Sequence, residues 1–356
     1  MTAITSLATR QQVMLERLKA GEVKKLATFL KQAADVIRRR LSQGELTDME
    51  RGRAELQLQT IRTELTAIYG QAGQSMTDGM KDYADFAGGY ETRALDAVLI
   101  QGVDVATPAA NQIYAAAIAR PMTSGKTATL LEPFISEWSS RSVTAIENTV
   151  RQGFFEGRTN QQIVKDIIGT KANGYQDGII DVTRRSAETV VRTSIQHVAQ
   201  VARNEVWAQN ADIITSYEWV STLDSRTTLQ CGALDSRVFE VGKGPLPPIH
   251  INCRSSTAPV IANKYIRDTL RQGATRVSNG ETDGPVSAGT SYYEWLKTQP
   301  VDFQNEAIGP VRAQLLRDGG LSAQRFQELQ LGRNFEPLTL DEMKKLEPVA
   351  FNRAGL

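Results

Sequence analysis

From Thr9 to Leu41 the apolar side chains Leu15, Leu18, Leu26, Phe29, Leu30, Ala33, Ile37 and Leu41 fall on one helical stripe. Ser42-Gln43-Gly44-Glu45 breaks that pattern. Thr47-Asp48-Met49-Glu50 has the residues of a capping box, in which Thr47 bonds the third helical amide and Glu50 reaches back. The following helix places Leu58, Ile61, Leu65 and Ile68 on its buried face, so the two segments read as a long helical hairpin. Gly70 to Gly89 is rich in Gly, Asp and Met and yields no assignment. Ala94–Ile100 and Ala109–Ala119 read as short alanine-rich helices, and Leu131–Phe155 as an amphipathic one. Thr159 or Asn160 caps a further helix to Ile168. Asp177 to Asn210 carries the longest uninterrupted helical pattern, with Ala187, Val191, Ile195, Val198, Ala202 and Val206 on one face. Arg184, Glu188 and Arg192 form an i,i+4 ladder on another face.

The pattern changes at Tyr217–Pro259. Tyr217-Glu218-Trp219-Val220 and Arg237-Val238-Phe239-Glu240-Val241 alternate as half-buried strands do. Asp224-Ser225-Arg226-Thr227 is turn chemistry. Gly242 to Pro248 can be neither helix nor central strand, and the loop delivers His250-Ile251-Asn252-Cys253-Arg254. Beyond it, Ser278 to Pro285 has the composition of turns and linkers. Ser291 and Glu294 open a helix with a capping box, Gly309-Pro310 starts another, and Thr339 with Glu342 caps the last. These short tail helices read as an extended arm or a clasp.

Composition narrows the function classes. The chain has 356 residues, 41% of them hydrophobic, and a formal net charge of +1, which argues against bulk wrapping of nucleic acid. Two cysteines in such a length do not make a disulfide scaffold, so assembly in a reducing compartment is expected. The N-terminus lacks the pattern of a signal peptide, and no apolar run approaches a membrane span. Met1–Arg40 carries nine Lys/Arg against three Asp/Glu and ends in Arg38-Arg39-Arg40. Those arginines are candidate contacts for DNA or an acidic partner, although a solvated helix end has the same composition. Ser124-Gly125-Lys126-Thr127 suggests a phosphate loop, but Arg120 stands where the motif needs its first glycine.

The central stretch holds Cys231, Cys253 and His250. His-x-x-Cys is a chelating spacing, and with Cys231 and a fourth ligand, Asp224 or water, it would make a tetrahedral Zn²⁺ site. Three other readings stay open at this point. The cysteines and histidine form a catalytic pair, or the cysteines form a disulfide, or all are core residues with satisfied hydrogen bonds. Asp224 is also placed to pair with Arg226 or Arg254. His197, the other histidine, sits beside the core stripe of its helix and reads as a buried residue with one hydrogen bond.

The order Trp219, Asp224-Ser225-Arg226-Thr227, Cys231, Leu234-Asp235, Phe239, Pro247-Pro248, His250, Asn252-Cys253-Arg254-Ser255 resembles the phage Mu F-like minor head (head morphogenesis) family. The helix carrying Glu188–Thr193 and the tail Tyr293–Leu316 resemble it more loosely. Two positions depart from the pattern: Ile251 replaces a small residue or proline, and Ser236-Arg237 replaces a glycine-containing turn. The resemblance implies a structural, non-enzymatic protein of a tailed-phage virion. Such a protein is built into the head in the bacterial host cytoplasm, in few copies, beside the portal protein at the portal vertex. Some relatives are thought to leave with the DNA, and related domains occur fused to toxins. The alternative from another class is a metal- or cysteine-dependent hydrolase or toxin-like effector carried in the virion.

The expected architecture is mainly α with a small α+β unit. Residues 1–140 make a helical N-terminal region for partner or portal binding, and 141–262 the Mu F-like domain with its β unit at 217–259. Residues 263–290 are a linker and 291–356 a helical arm. The motif residues Trp219, Asp224, Arg226, Thr227, Asp235 and Arg254 are expected to hold the β unit together.

Overall fold

The computed structural model describes residues 2–44, 51–124, 127–267, 275–280 and 284–356. The Thr47–Glu50 box, Gly125-Lys126 of the discounted phosphate loop and Glu281–Asp283 of the turn-rich segment lie outside the described residues. The chain divides into two compact units. One comprises Leu15–Phe86 and Ala110–Ala199; the other comprises Met1–Met14, Ala87–Ala109 and Gln200–Leu356.

The first of these is helical, built from most of α1 (Thr2–Leu41) and α2 (Arg51–Asp96), with α3 (Ala110–Ala119), α4 (Leu131–Phe155), α5 (Asn160–Ile168) and much of α6 (Ile179–Gln209). A small hairpin, β1 (Met122–Ser124) with β2 (Thr127–Thr129), precedes α4. The stripe read on α1 is buried at Leu15, Leu26, Leu30, Ala33, Ile37 and Leu41, and Lys19 lies buried in the same row. Its ammonium donates to Gln196 at 2.9 Å and Glu16 at 2.7 Å, which is how a charge survives in that row.

The glycine-rich stretch after Gly70 is helical, because the buried row continues through Tyr69, Ala72, Met76, Met80, Ala84 and Ala87. Packing along that row outweighs the cost of about 1 kcal/mol that each helical glycine carries. Gly73 is there for space: a Cβ would lie 2.7 Å from Ser139 Oγ. Thr159 caps α5 and forms the reciprocal box with Gln162. The stripe Ala187–Val206 of α6 is buried throughout.

The other unit is built on a three-stranded antiparallel sheet in the order β4-β3-β5, with β3 (Ile214–Val220), β4 (Val238–Glu240) and β5 (Ser256–Ile261). The alternation at Tyr217–Val220 predicts β3 and the one at Arg237–Val241 predicts β4; β5 is the strand the pattern does not announce. Its burial on nearly every position removes the polar alternation, and it contains Pro259. The final turns of α6 hold it: Arg203 donates to Thr257 O at 2.7 Å and to Ser256 Oγ, and pairs with buried Glu91 at 3.1 Å.

Between β3 and β4 lies α7 (Leu229–Leu234), capped by Thr228. After β5 comes a second hairpin, β6 (Thr275–Ser278) with β7 (Gly284–Ser287), inside the segment expected to be a linker. The tail forms α8 (Tyr292–Lys297), α9 (Val301–Ile308), α10 (Pro310–Asp318), α11 (Ala323–Glu328), α12 (Leu340–Leu346) and α13 (Pro348–Arg353). Tyr292, Tyr293, Trp295, Leu315, Phe326, Met343 and Phe351 share one core with Trp219, Cys231, Leu234 and Cys253. The tail therefore clasps the β unit.

Candidate metal centre

Two aspartates of the sequence motif brace the β unit. Asp235, 0% exposed, accepts from the amides of Ser221 and Tyr292, both at 2.7 Å, and from Arg276 at 2.9 and 3.0 Å. It thus ties β3, β6 and α8 to one carboxylate. Asp224 accepts a two-pronged bond from Arg254, with Nη2 at 2.8 Å from Oδ1 and Nη1 on Oδ2. Thr227 Oγ1 at 3.2 Å and the amide of Arg226 at 3.1 Å complete its shell. Burial pushes the Asp224 carboxyl up, but the Arg254 guanidinium outweighs it and holds the group below its ordinary value. The Arg226 side chain is 77% exposed and stands 3.7 Å from Asp224, so Arg254 is the principal partner.

Trp219 is fully buried and donates through Nε1 to Ser221 Oγ at 3.1 Å; that hydroxyl donates in turn to Cys231 O at 2.7 Å. Cys231 stands in the first turn of α7, its amide donating to the capping Thr228 hydroxyl at 3.3 Å. Cys253 arrives from the proline loop, and its amide donates to His250 O at 3.2 Å. Asn252 between them has φ +58, a left-handed residue that doubles the chain back so that His250 and Cys253 face one point.

That point is shared by three ligands. Cys231 Sγ lies 3.1 Å from His250 Nε2 and 3.8 Å from Cys253 Sγ, and the three ligand atoms all lie within 4.8 Å of one another. Both cysteines are free thiols, and 3.8 Å is far from a disulfide's ~2.04 Å. It is, however, the separation of two thiolates on one tetrahedral Zn²⁺: bonds of ~2.3 Å at the tetrahedral angle put the sulfurs about 3.8 Å apart. The same arithmetic puts sulfur and imidazole nitrogen about 3.5 Å apart, so the observed 3.1 Å needs only a small opening. His250 Nδ1 donates to Ile251 O at 2.9 Å, which turns Nε2 toward the sulfurs.

The three groups shift one another's protonation in opposite directions. Burial and the neighbouring Cys253 push the Cys231 thiol up. Burial also opposes charge on Cys253, but hydrogen bonds from Cys231 and His250 hold it well below the ordinary thiol value. His250 loses by burial and gains more from Cys253, so its imidazole is raised.

Asp224, the expected fourth ligand, is not in this group. Arg254 occupies both of its oxygens, so its part is to pin the loop. His197 is elsewhere too: its Nε2 donates to Ala117 O at 2.8 Å, and burial pushes its pKa down to about 4.

The family comparison extends across the same stretch. Residues 144–258 match the family model described as Phage Mu protein F like protein. This part of the chain is Mu F-like. It is about a third of the sequence and includes Cys231, His250, Cys253, Asp224 and Asp235. Comparison with curated proteins gives no match, and comparison with solved structures gives none either. Of the two departures from the Mu F-like pattern, Ser236 has φ +62, the left-handed region that favours glycine, and Ile251 is 42% exposed.

Sequence reasoning missed Arg276, Ser221 and Tyr292, which complete the Asp235 shell. Arg276 sits in a four-residue strand, too short for periodicity to register. Of the basic run, Arg38 pairs with Asp35 at 3.1 Å, Arg39 with Glu64 at 2.7 Å, and Arg40 also with Glu64. No helix among the described residues is long and apolar enough to cross a membrane.

Proposed function

We propose that this chain is a minor head protein of a tailed bacteriophage, incorporated during head assembly at the portal vertex. The observation that carries this reading is the Mu F-like match over residues 144–258. The helical unit of α1 to α6 supports it, since long amphipathic helices offer faces for other head proteins. Quantitative mass spectrometry of purified particles tests it. A few copies per particle are expected; absence, or a copy number like that of the main shell protein, contradicts it.

Within that role, Cys231, His250 and Cys253 hold a structural Zn²⁺. Two thiolates and an imidazole match its softness and its tetrahedral spacing. Bound there, the ion supplies cross-linking: it joins α7 to the His250–Cys253 loop. Three strands and one short helix gain from such a staple, because a small sheet is marginal alone. Metal analysis of the purified protein should give one zinc per chain in the wild type and none in Cys231→Ser/Cys253→Ser. An equal metal content in both, or none in either, contradicts it.

A further inference from the structure

Cys231 and Cys253 come from different elements, α7 and the loop before β5, yet their sulfurs stand 3.8 Å apart with no bond between them. Both side chains are buried, at 2% and 1% exposed. The turn that delivers Cys253 is not: Ile251 is 42% exposed and Asn252, at φ +58, is exposed as well. His250, half-buried, flanks the sulfur pair from that turn, 3.1 Å from Cys231. A small movement of this surface turn is enough to admit a molecule the size of water.

Two thiols this close have a reaction open to them that an isolated buried thiol lacks. When one is oxidised to the sulfenic acid, the other is already in place to displace its oxygen, before further oxidant arrives.

We propose that Cys231 and Cys253 form a reversible disulfide when the protein meets a hydroperoxide. One sulfur attacks the O–O bond, which breaks; that sulfur keeps one oxygen as the sulfenic acid and the other oxygen leaves as water. The second sulfur then attacks the sulfenic sulfur, the S–O bond breaks, and a second water leaves. Two electrons pass from the sulfur pair to the peroxide, so two thiols and H₂O₂ give one disulfide and two waters. The bond joins positions 22 apart in the chain and ties α7 to the His250–Cys253 turn when no ion does so. The proposal rests on the zinc reading in one respect: the oxidised sulfurs, no longer thiolates, release the ion. A head protein assembled in a reducing cytoplasm and released into an oxidising medium passes through this change.

The test treats the folded full chain with hydrogen peroxide, removes the oxidant with catalase, and maps the cysteine-containing peptides by mass without reduction. A peptide joining Cys231 to Cys253, about 2 Da lighter than its two parts and separated again by a phosphine reductant, is expected. With chelator present, amide exchange across Tyr217–Pro259 should be at least about tenfold slower in the oxidised chain than in the reduced one; equal rates overturn the bracing role. Cys231→Ser and Cys253→Ser, each lacking the second thiol, should instead gain oxygen at the remaining cysteine. In the wild type, oxygen added at either cysteine without the cross-link, or thiols unchanged by peroxide, overturns the proposal, and neither result depends on a variant folding. Zinc release, followed with a metallochromic indicator, is scored separately. A chain that carries no zinc yet forms the bond refutes only the metal, and one that holds zinc but forms no bond refutes only the disulfide.

Discussion

Replacing Asp235 with alanine removes the carboxylate on which β3, β6 and α8 converge. Arg276 is only 3% exposed and would keep the carbonyls of Thr290, at 2.9 Å, and Ser221, but its charge would have no counterion. The amides of Ser221 and Tyr292 would lose their acceptor at the same time. Stranding one member of a buried pair costs about 3–5 kcal/mol. Each orphaned amide adds ~1–3 kcal/mol, less where water enters. A total of about 5 kcal/mol is expected for this unit. With a urea slope of roughly 2–3 kcal/mol/M, the midpoint should fall by about 2 M. Fluorescence reports it locally, because Trp219 and Trp295 are buried in the same core. Asp235→Ala/Arg276→Ala should cost less than the sum of the single changes, as the charges vanish together. A midpoint shift under about 0.5 M urea, or strict additivity in the double variant, would refute the reasoning.

Gly232→Ala should destabilise the same unit by ~1–3 kcal/mol, because its Cβ would lie 2.6 Å from the Tyr292 ring; unchanged urea midpoints would contradict this. His197 is held neutral by burial, with a folded pKa of about 4 against 6.5, so the unfolded chain takes up the proton first as pH falls. Its contribution, about 3 kcal/mol, is fully present above pH 6.5 and is lost as pH falls toward 4; unfolding free energies from pH 7 to 4 should flatten in His197→Gln. Chelation should raise amide exchange across Tyr217–Pro259 while the Ala187–Val198 part of α6 stays protected, and equal change in both would sink the staple. Neutralising Arg38, Arg39 and Arg40 should weaken any DNA binding and flatten its salt slope, since the three arginines share only Asp35 and Glu64; no change in either would leave them a solvated helix end.

Periodicity made the helices legible, with Leu131–Phe155 and the Thr159, Ser291 and Thr339 caps placed where the residues predict. It failed at Gly70–Gly89, because glycine counts as a breaker locally while the buried row through Met76 and Met80 is set by tertiary packing. It failed at β5 because a strand buried on both faces loses its alternation. The three metal-ligand candidates were readable from residue type and spacing alone. Their convergence depends on the left-handed Asn252 and on α7, which no spacing rule encodes. Asp224 was readable as a charged partner, but only the folded loop chooses Arg254 over Arg226 and keeps Asp224 out of the ligand cluster. Arg276 was out of reach, since its meaning depends on Asp235, 41 residues earlier in the chain.

Reconstruction of the particle without imposed symmetry tests most directly the proposed place of this chain in a phage head. Density for the chain is expected beside the portal at one vertex, with the three-stranded sheet and its clasping helices recognisable. A complete map of the portal vertex and head interior with no such density, or the chain spread evenly over the shell, would contradict it.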